Sequence, residues 1–410
     1  MRVLVAPAGS RGDFQPLLAF ALGLRAAGHQ VLVAASPNFA SELAAFGLPF
    51  QALGFDVEAY MRELELFTSS RTRATWELFK VGRREIFQLI AEALPLARGV
   101  DVVVGGGAQI FAPTAAEAAG VPYVYVAYSP QSLWSAEHPP FTMPVFGLPR
   151  PLNRVLWSLS LAAVRAAFGG PLNRQRRLLG LPPVRDWYDH FFPRRRTILA
   201  ADPEIAPPAP DSPLAHPPVG AFHLEDQRPL APELERFLAS GPAPVYAGFG
   251  SMPDADAAGT TQIFLDAARS AGVRLVLSRG WAGHGAGVPA GDGALVIGPT
   301  SHALLFPRVA AIVHHGGAGT TAAATRAGRP QILVPHVFDQ FLWGRRVLEA
   351  RLGPAPISRH RLAAKSLGGA LQAALGEARY RDRAAEIAAQ VRARNSIAAG
   401  IAALQTLAQR

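Results

Sequence analysis

The chain has 410 residues, half of them hydrophobic and 17% charged, with 40 basic against 30 acidic side chains and no cysteine. That length implies two or three domains with substantial cores. The lack of cysteine excludes disulfides, thiolate metal sites and a cysteine nucleophile.

In chain order, RVLVAPAG (2–9) reads as a buried strand leading into a helix over 16–29 that ends at Gly28. QVLVAAS (30–36) is a second strand, with a helix behind it that ends near Gly47. DVVVGGG (101–107), PTAAEAAG (113–120) and VPYVYVAYS (121–129) repeat strand, helix and strand. Short, wholly apolar strands separated by helices predict a parallel sheet covered on both faces, a doubly wound α/β domain. No run reaches the ~18–20 uninterrupted apolar residues of a spanning helix. The N-terminus carries no signal-type cleavage segment, so a cytoplasmic protein is expected.

Residues 202–219, DPEIAPPAPDSPLAHPPV, are dense in proline and aperiodic, as a semi-rigid linker would be. The alternation then resumes with VYAGFGS (245–251), RLVLSRG (274–280), ALVIGP (294–299), AAIVHHGG (310–317) and QILVPH (331–336). The expected organisation is an N-terminal domain over 1–201, the linker over 202–219 and a second doubly wound domain over 220–390. A C-terminal helix within 391–410 is expected to return to the first domain. Loops leaving the carboxyl ends of two such sheets would face a ligand cleft between the halves.

A nicotinamide or flavin enzyme fits this plan poorly. The first strand runs into GSRGD (9–13), which is not G-x-G-x-x-G, and Ala34, Ala35 and Ser36 stand where a ribose-binding carboxylate would end the second strand. No P-loop is present. The more informative stretch is 313–330, VHHGGAGTTAAATRAGRP. There an apolar strand stops at two histidines, glycines allow a tight turn, and a helix begins with unpaired amides at the positive end of its dipole. Such a bend is a site for phosphate. His315 and the hydroxyls of Thr320 and Thr321 are expected to complete the cradle. An ordinary glycine-rich turn with a threonine N-cap is the bland alternative.

At this point the chain resembles the GT-B nucleotide-sugar glycosyltransferases, in particular the bacterial natural-product and sterol glycosyltransferase group. GSRGDFQP (9–16), GLPPV (180–184), VYAGFGSM (245–252), LSRGWA (277–282), HHGGAGTT (314–321) and DQFLWGRRV (339–347) carry the resemblance, in the family's order. It implies two Rossmann-like domains, with His315, Gly317, Ala318, Gly319 and Thr320 holding the donor diphosphate and His314 a packed neighbour. It places Trp281 beside the nucleotide base, adds Ser10, Ser251 and Ile297 to the donor contacts, and gives Asp339 and Gln340 the sugar hydroxyls. Plant-type relatives carry a catalytic histidine in a G-H-x-x-P loop, whereas GDFQP puts Asp13 at that place. Asp13 is therefore the candidate base that takes the acceptor proton, with a helix-capping role as its alternative. The family's ribose-binding glutamate has no counterpart, since Ala322 and Ala323 occupy its neighbourhood.

The acceptor side is read from loops that leave parallel strands, which bring in Gly106, Phe111, Tyr128 and Trp134. Their aromatic character points to a lipophilic acceptor such as a sterol, a polyketide or another aglycone. LNRVLWSLSLAAVRAAFGGPLNRQRR (152–177) has three readings: a wall of the acceptor pocket, a helix touching a membrane surface, or a core helix. Basic groups cluster at Arg83–Arg84, Arg174–Arg177 and Arg194–Arg196, but no DNA-binding motif or aromatic ladder accompanies them, so nucleic acid is not an expected partner. No acidic D-x-D-type motif stands near the donor loop. The expectation is an inverting, metal-independent hexosyltransferase without a resident cofactor, acting as a monomer or weak dimer, with UDP-glucose favoured over a dTDP-sugar. A nucleotide-sugar epimerase of the same fold and a non-catalytic lipid- or partner-binding relative are the alternatives.

Overall fold

The computed structural model describes residues 1–59, 71–289, 291 and 293–409; the side chains of 71–79 and 81–84, including the basic pair Arg83–Arg84, lie outside the described residues. The chain forms two compact units. One comprises Met1–Pro203, Pro207–Phe222 and Asn395–Arg410, and the other Glu204–Ala206 and His223–Arg394.

The first unit runs β1 (Arg2–Ala8), α1 (Arg11–Ala26), β2 (Gln30–Ala35), α2 (Ala40–Ala45), β3 (Phe50–Ala52), α3 (Arg71–Ala97) and β4 (Val102–Gly107). It continues through α4 (Ala112–Ala119), β5 (Tyr123–Ala127), α5 (Arg150–Leu178), α6 (Trp187–Phe191) and β6 (Thr197–Leu199). All six strands are parallel, in the order β3-β2-β1-β4-β5-β6. The chain winds one way from β1 to β3 and the other way from β4 to β6, so the order reverses between β1 and β4. That reversal is where doubly wound sheets open a crevice at their carboxyl ends.

The second unit runs α7 (Pro232–Ala239), β7 (Val245–Gly248), α8 (Ala257–Ser270), β8 (Leu275–Ser278), β9 (Ala294–Ile297) and α9 (His302–Leu305). Then come β10 (Ala311–His314), α10 (Ala318–Ala327), β11 (Gln331–Leu333), α11 (Gln340–Glu349), α12 (Ala364–Gly376) and α13 (Ala378–Ala393). Its sheet is parallel, in the order β11-β10-β7-β8-β9, with the reversal between β7 and β10. Alternation along each strand sorts the core into two apolar layers. Val245, Ala247, Leu275, Leu277, Ala311 and Val313 pack into one layer, and Tyr246, Val276 and Ile312 into the other. Both faces are dry, which is why these strands read as continuous apolar runs.

The structure revises two local expectations. The first helix starts at Arg11, before the expected Pro16, because Ser10 and Asp13 form a reciprocal capping box at its start. Most of the proline-rich stretch is also no free linker. Pro207–Phe222 belongs to the first unit, where Asp211 accepts hydrogen bonds from the Ala136 amide (2.9 Å) and Ser135 Oγ (2.5 Å). The Val219 amide donates to Leu199 O at 3.0 Å. The last helix, α14 (Ser396–Ala408), also belongs to the first unit and lies against α1, β5 and β6.

Candidate active site

In the first unit the side chains gather at the β1/β4 reversal. β1 ends at Ala8, Gly9 turns the chain with φ +132°, and Ser10 caps α1. Asp13 sits at the third helical position, where its Oδ2 accepts the Ser10 amide at 2.9 Å. Its carboxylate lies against the Cα atoms of Gly9 and Gly107, the last residue of β4. A Cβ at Gly107 would meet Asp13 Oδ1 at 2.8 Å, and the backbone there is left-handed, φ +74°. Glycine at both strand ends is thus what leaves room for this carboxylate. Tyr128 donates its hydroxyl to Asp13 O at 2.9 Å, and its ring fills the space that a Cβ on Gly106 would take. Burial, and then the Asp13 charge, push the Tyr128 phenol well above its ordinary range, so it stays a neutral donor. Asp13, Gly106 and Tyr128 are brought together.

In the second unit a chain of contacts links the loops at the β7/β10 reversal. His315 follows β10, and Gly317 is the N-cap of α10 with no side-chain cap. The first turn of α10 therefore keeps its amides available. The His315 imidazole lies over Gly317, where a Cβ would come within 2.5 Å of Nε2, and beside Gly250, where a Cβ would stand 3.3 Å from Cε1. Its Nδ1 is buried without a partner. Burial, and then the neighbouring histidines, hold its pKa well below the usual value, so the ring is neutral at pH 7. The Gly250 carbonyl accepts the Trp281 amide at 2.9 Å, which anchors the loop after β8 to the loop after β7. Gln340, after β11, donates to Met252 Sδ at 3.2 Å.

His314 is the packed neighbour. It is fully buried, shares Nε2 with Gln331 Oε1 at 3.0 Å, and accepts the Gly316 amide at Nδ1. A buried imidazole beside an uncapped helix end can receive an anion, since the amides and dipole favour negative charge and, among the described residues, the His315 Nδ1 has no partner.

Comparison with known proteins bears on the same halves. Residues 3–129 match the glycosyltransferase family 28 N-terminal domain, and residues 296–405 match the C-terminal domain of erythromycin biosynthesis protein CIII-like proteins. The chain is 38% identical to glycosyltransferase GtfE of Amycolatopsis orientalis, over 87% of this chain and 86% of that protein. It is 39% identical to the vancomycin aglycone glucosyltransferase of the same organism, over the same shares. The chain belongs to the GT-B glycosyltransferases.

It is a nucleotide-sugar-dependent glycosyltransferase. A plant relative, the sterol 3-beta-glucosyltransferase UGT80B1 of Arabidopsis thaliana, is 32% identical over 91% of this chain and 62% of that longer protein. Among solved structures, the glycosyltransferase VinC in complex with dTDP shares the fold with a TM-score of 0.70 at 21% identity, both chains being covered in full.

The geometry of this glycosyltransferase corrects several sequence expectations. The Thr321 hydroxyl is not part of the cradle, because it donates back to Gly317 O at 2.9 Å inside the helix. Gln340 is not a free sugar ligand. Its Oε1 accepts the His336 and Val337 amides at 2.8 and 3.0 Å, which staples its own loop. Ile297 packs its side chain into the apolar layer with Tyr246 and Phe306. Phe111 is buried in the core, while Trp134 is half-buried with its amide held by the Tyr188 hydroxyl at 2.8 Å. Ser10 is committed to the cap of α1, while Ser251 is buried in the Gly250 loop and Asp339 is the N-cap of α11. Ala318, Gly319 and Thr320 form the open first turn of α10.

Other side chains went unnoticed in the sequence. Gln109 donates to Ala6 O at 2.7 Å and accepts the Phe111 and Ala112 amides, tying the loop after β4 to β1. Asp254 joins the loop after β7 to His284 (3.0 Å) and Arg359 (2.8 Å). Burial alone would raise Asp254, but hydrogen bonds from His284 and Thr260 and the Arg359 charge outweigh it and hold the carboxyl well below its usual range. No local spacing announces such residues, since the partners that tie the loops together, Ala6 for Gln109 and His284 and Arg359 for Asp254, lie far away in sequence.

Proposed function

We propose that this glycosyltransferase moves a hexose from a nucleoside-diphosphate sugar to a hydroxyl of a lipophilic acceptor with inversion at the anomeric carbon. UDP-glucose is the first-choice donor and a dTDP-sugar the second; a sterol, polyketide or other natural-product aglycone is the acceptor class. The observation that carries the reading is the neutral, unpartnered His315 imidazole beside the open amides of α10. A diphosphate oxygen would accept its N–H and those amides, so the leaving group departs without a metal. Asp13 would take the acceptor proton, with the Tyr128 hydroxyl on its carbonyl fixing the loop. The relatives support the acceptor class by their names, a vancomycin aglycone glucosyltransferase and a sterol glucosyltransferase.

The test is a donor panel with and without an aglycone mixture, with EDTA present throughout. Acceptor-dependent release of UDP or dTDP is expected, with EDTA leaving the rate unchanged. Sugar interconversion without any acceptor would instead favour the epimerase. Calorimetry on His315→Ala should show nucleotide affinity reduced at least tenfold with the fold intact; unchanged affinity would remove the diphosphate from this site.

A further inference from the structure

The long helix α5 presents a surface that the glycosyl-transfer reading does not use. One face of α5 is buried: Asn153 Nδ2 donates to Ala136 O at 2.8 Å, Trp157 Nε1 donates to His138 O at 3.0 Å, and Arg176 pairs with Glu117 at 2.7 Å. These anchors hold the helix to its own unit. Although it is long and apolar enough by length and composition to cross a membrane, it is built to lie on a surface rather than to span one.

The opposite face is bare. Leu152, Val155 and Leu159 are 43, 51 and 58% exposed. With the exposed Ala162, Ala163 and Ala166 they fall within about a 100° arc and run about 21 Å along the axis. Between Arg150 and Leu178 the helix carries six arginines and no aspartate or glutamate. Arg150 and Arg176 have carboxylate partners. Arg174 and Arg177 are exposed where the stripe continues toward the end of the helix, Arg154 and Arg165 are exposed nearer the anchored face, and among the described residues no carboxylate pairs with any of the four. A cationic, acid-free helix with an exposed apolar stripe matches an anionic lipid surface: leucine and valine enter the headgroup boundary while the arginine stems run alongside and keep their charge among phosphates.

We propose that this face of α5 docks the protein onto anionic lipid bilayers. The proposal stands apart from the donor and acceptor assignments, so either can fail alone.

The experiment is co-sedimentation with vesicles of phosphatidylglycerol and phosphatidylcholine, against vesicles of phosphatidylcholine alone. Wild-type protein is expected to pellet with the anionic vesicles at low salt and to be released at 0.5 M NaCl, ~3 Å being the screening length near 1 M. Arg174→Ser with Arg177→Ser should weaken binding by about 25-fold, at about fivefold per arginine. The triple variant Leu152→Ser, Val155→Ser, Leu159→Ser should abolish it with melting temperature and UDP affinity unchanged, because all three side chains are exposed. Wild-type protein that stays in the supernatant with anionic vesicles at low salt overturns the proposal. So does a dimer in sedimentation velocity that the triple variant turns into a monomer without altering vesicle binding, since a second copy then covers this face.

Discussion

Asp13 performs a structural task for certain: it closes the capping box of α1 through the Ser10 amide. Whether it also moves a proton is separable by chemistry. Asparagine keeps the size and an acceptor oxygen for the Ser10 amide but lacks basicity, so Asp13→Asn should preserve the cap. The expected result is a kcat reduced by about 10²–10⁴-fold, the usual worth of a general base, with melting temperature and nucleotide affinity almost unchanged. Turnover within threefold of wild type would leave Asp13 with the cap alone. The motif GDFQP pointed to this residue. Its seat between Gly9 and Gly107 was not readable, because those glycines become neighbours only once β1 pairs with β4. In the same way, HHGGAGTT identified the strand-to-helix bend and His315. The dismissal of Thr321 and Gln340 required three-dimensional hydrogen bonds, since a hydroxyl or amide in a loop looks equally available in a sequence whether or not a backbone group already holds it.

At the scale of elements, parallel strands and their order of alternation with helices were plain in the sequence because both faces of each sheet are apolar. Helix starts were less so: the α1 start moved once a cap was available nearer the strand. The start of α11 shows how an element end can conflict with its surroundings. Asp339 is its N-cap, yet its carboxylate accepts Trp343 Nε1 at 3.0 Å instead of capping the helix. Burial pushes it up to about 6, against the lowering by that hydrogen bond. A carboxyl whose folded pKa lies above its unfolded pKa of ~3.9 binds more protons in the native state between those values. Its contribution therefore falls as pH rises from about 4 to 6, costing on the order of 1–3 kcal/mol at pH 7 at 1.36 kcal/mol per unit. Asp339→Asn should remove that cost. Denaturant titrations should show the variant more stable than wild type at pH 7 and level with it at pH 4. If Asp339 also holds sugar hydroxyls, kcat/KM for the donor should fall at least tenfold in the same variant, a gain in stability at the expense of function. A variant less stable than wild type at pH 7 would mean that the Trp343 hydrogen bond outweighs the burial.

At the scale of the whole molecule, the chain leaves the first unit, builds the second, and comes back to complete the first with α14. That return is a packing requirement. A Cβ at Gly400 would stand 2.6 Å from Phe222 Cζ and 3.1 Å from Phe20 Cε2, and those two rings stack with centroids 4.6 Å apart. On the facing helix, Gly23 of α1 leaves the space that Ile397 fills. Ile401, Leu404 and Leu407 of α14 are buried in the same layer. Gly400→Val therefore overpacks the first unit alone, at a cost of roughly 1–3 kcal/mol. Units with separate cores need not unfold together, so calorimetry is expected to resolve two transitions. UDP at 100 times its Kd should stabilise the one belonging to the second unit by about 2.7 kcal/mol. Gly400→Val should lower the other transition by roughly 2–12 °C, at about 2–4 °C per kcal/mol for units of this size, and leave the nucleotide-responsive one in place. A shift of the nucleotide-responsive transition in Gly400→Val would show that the last helix stabilises both units.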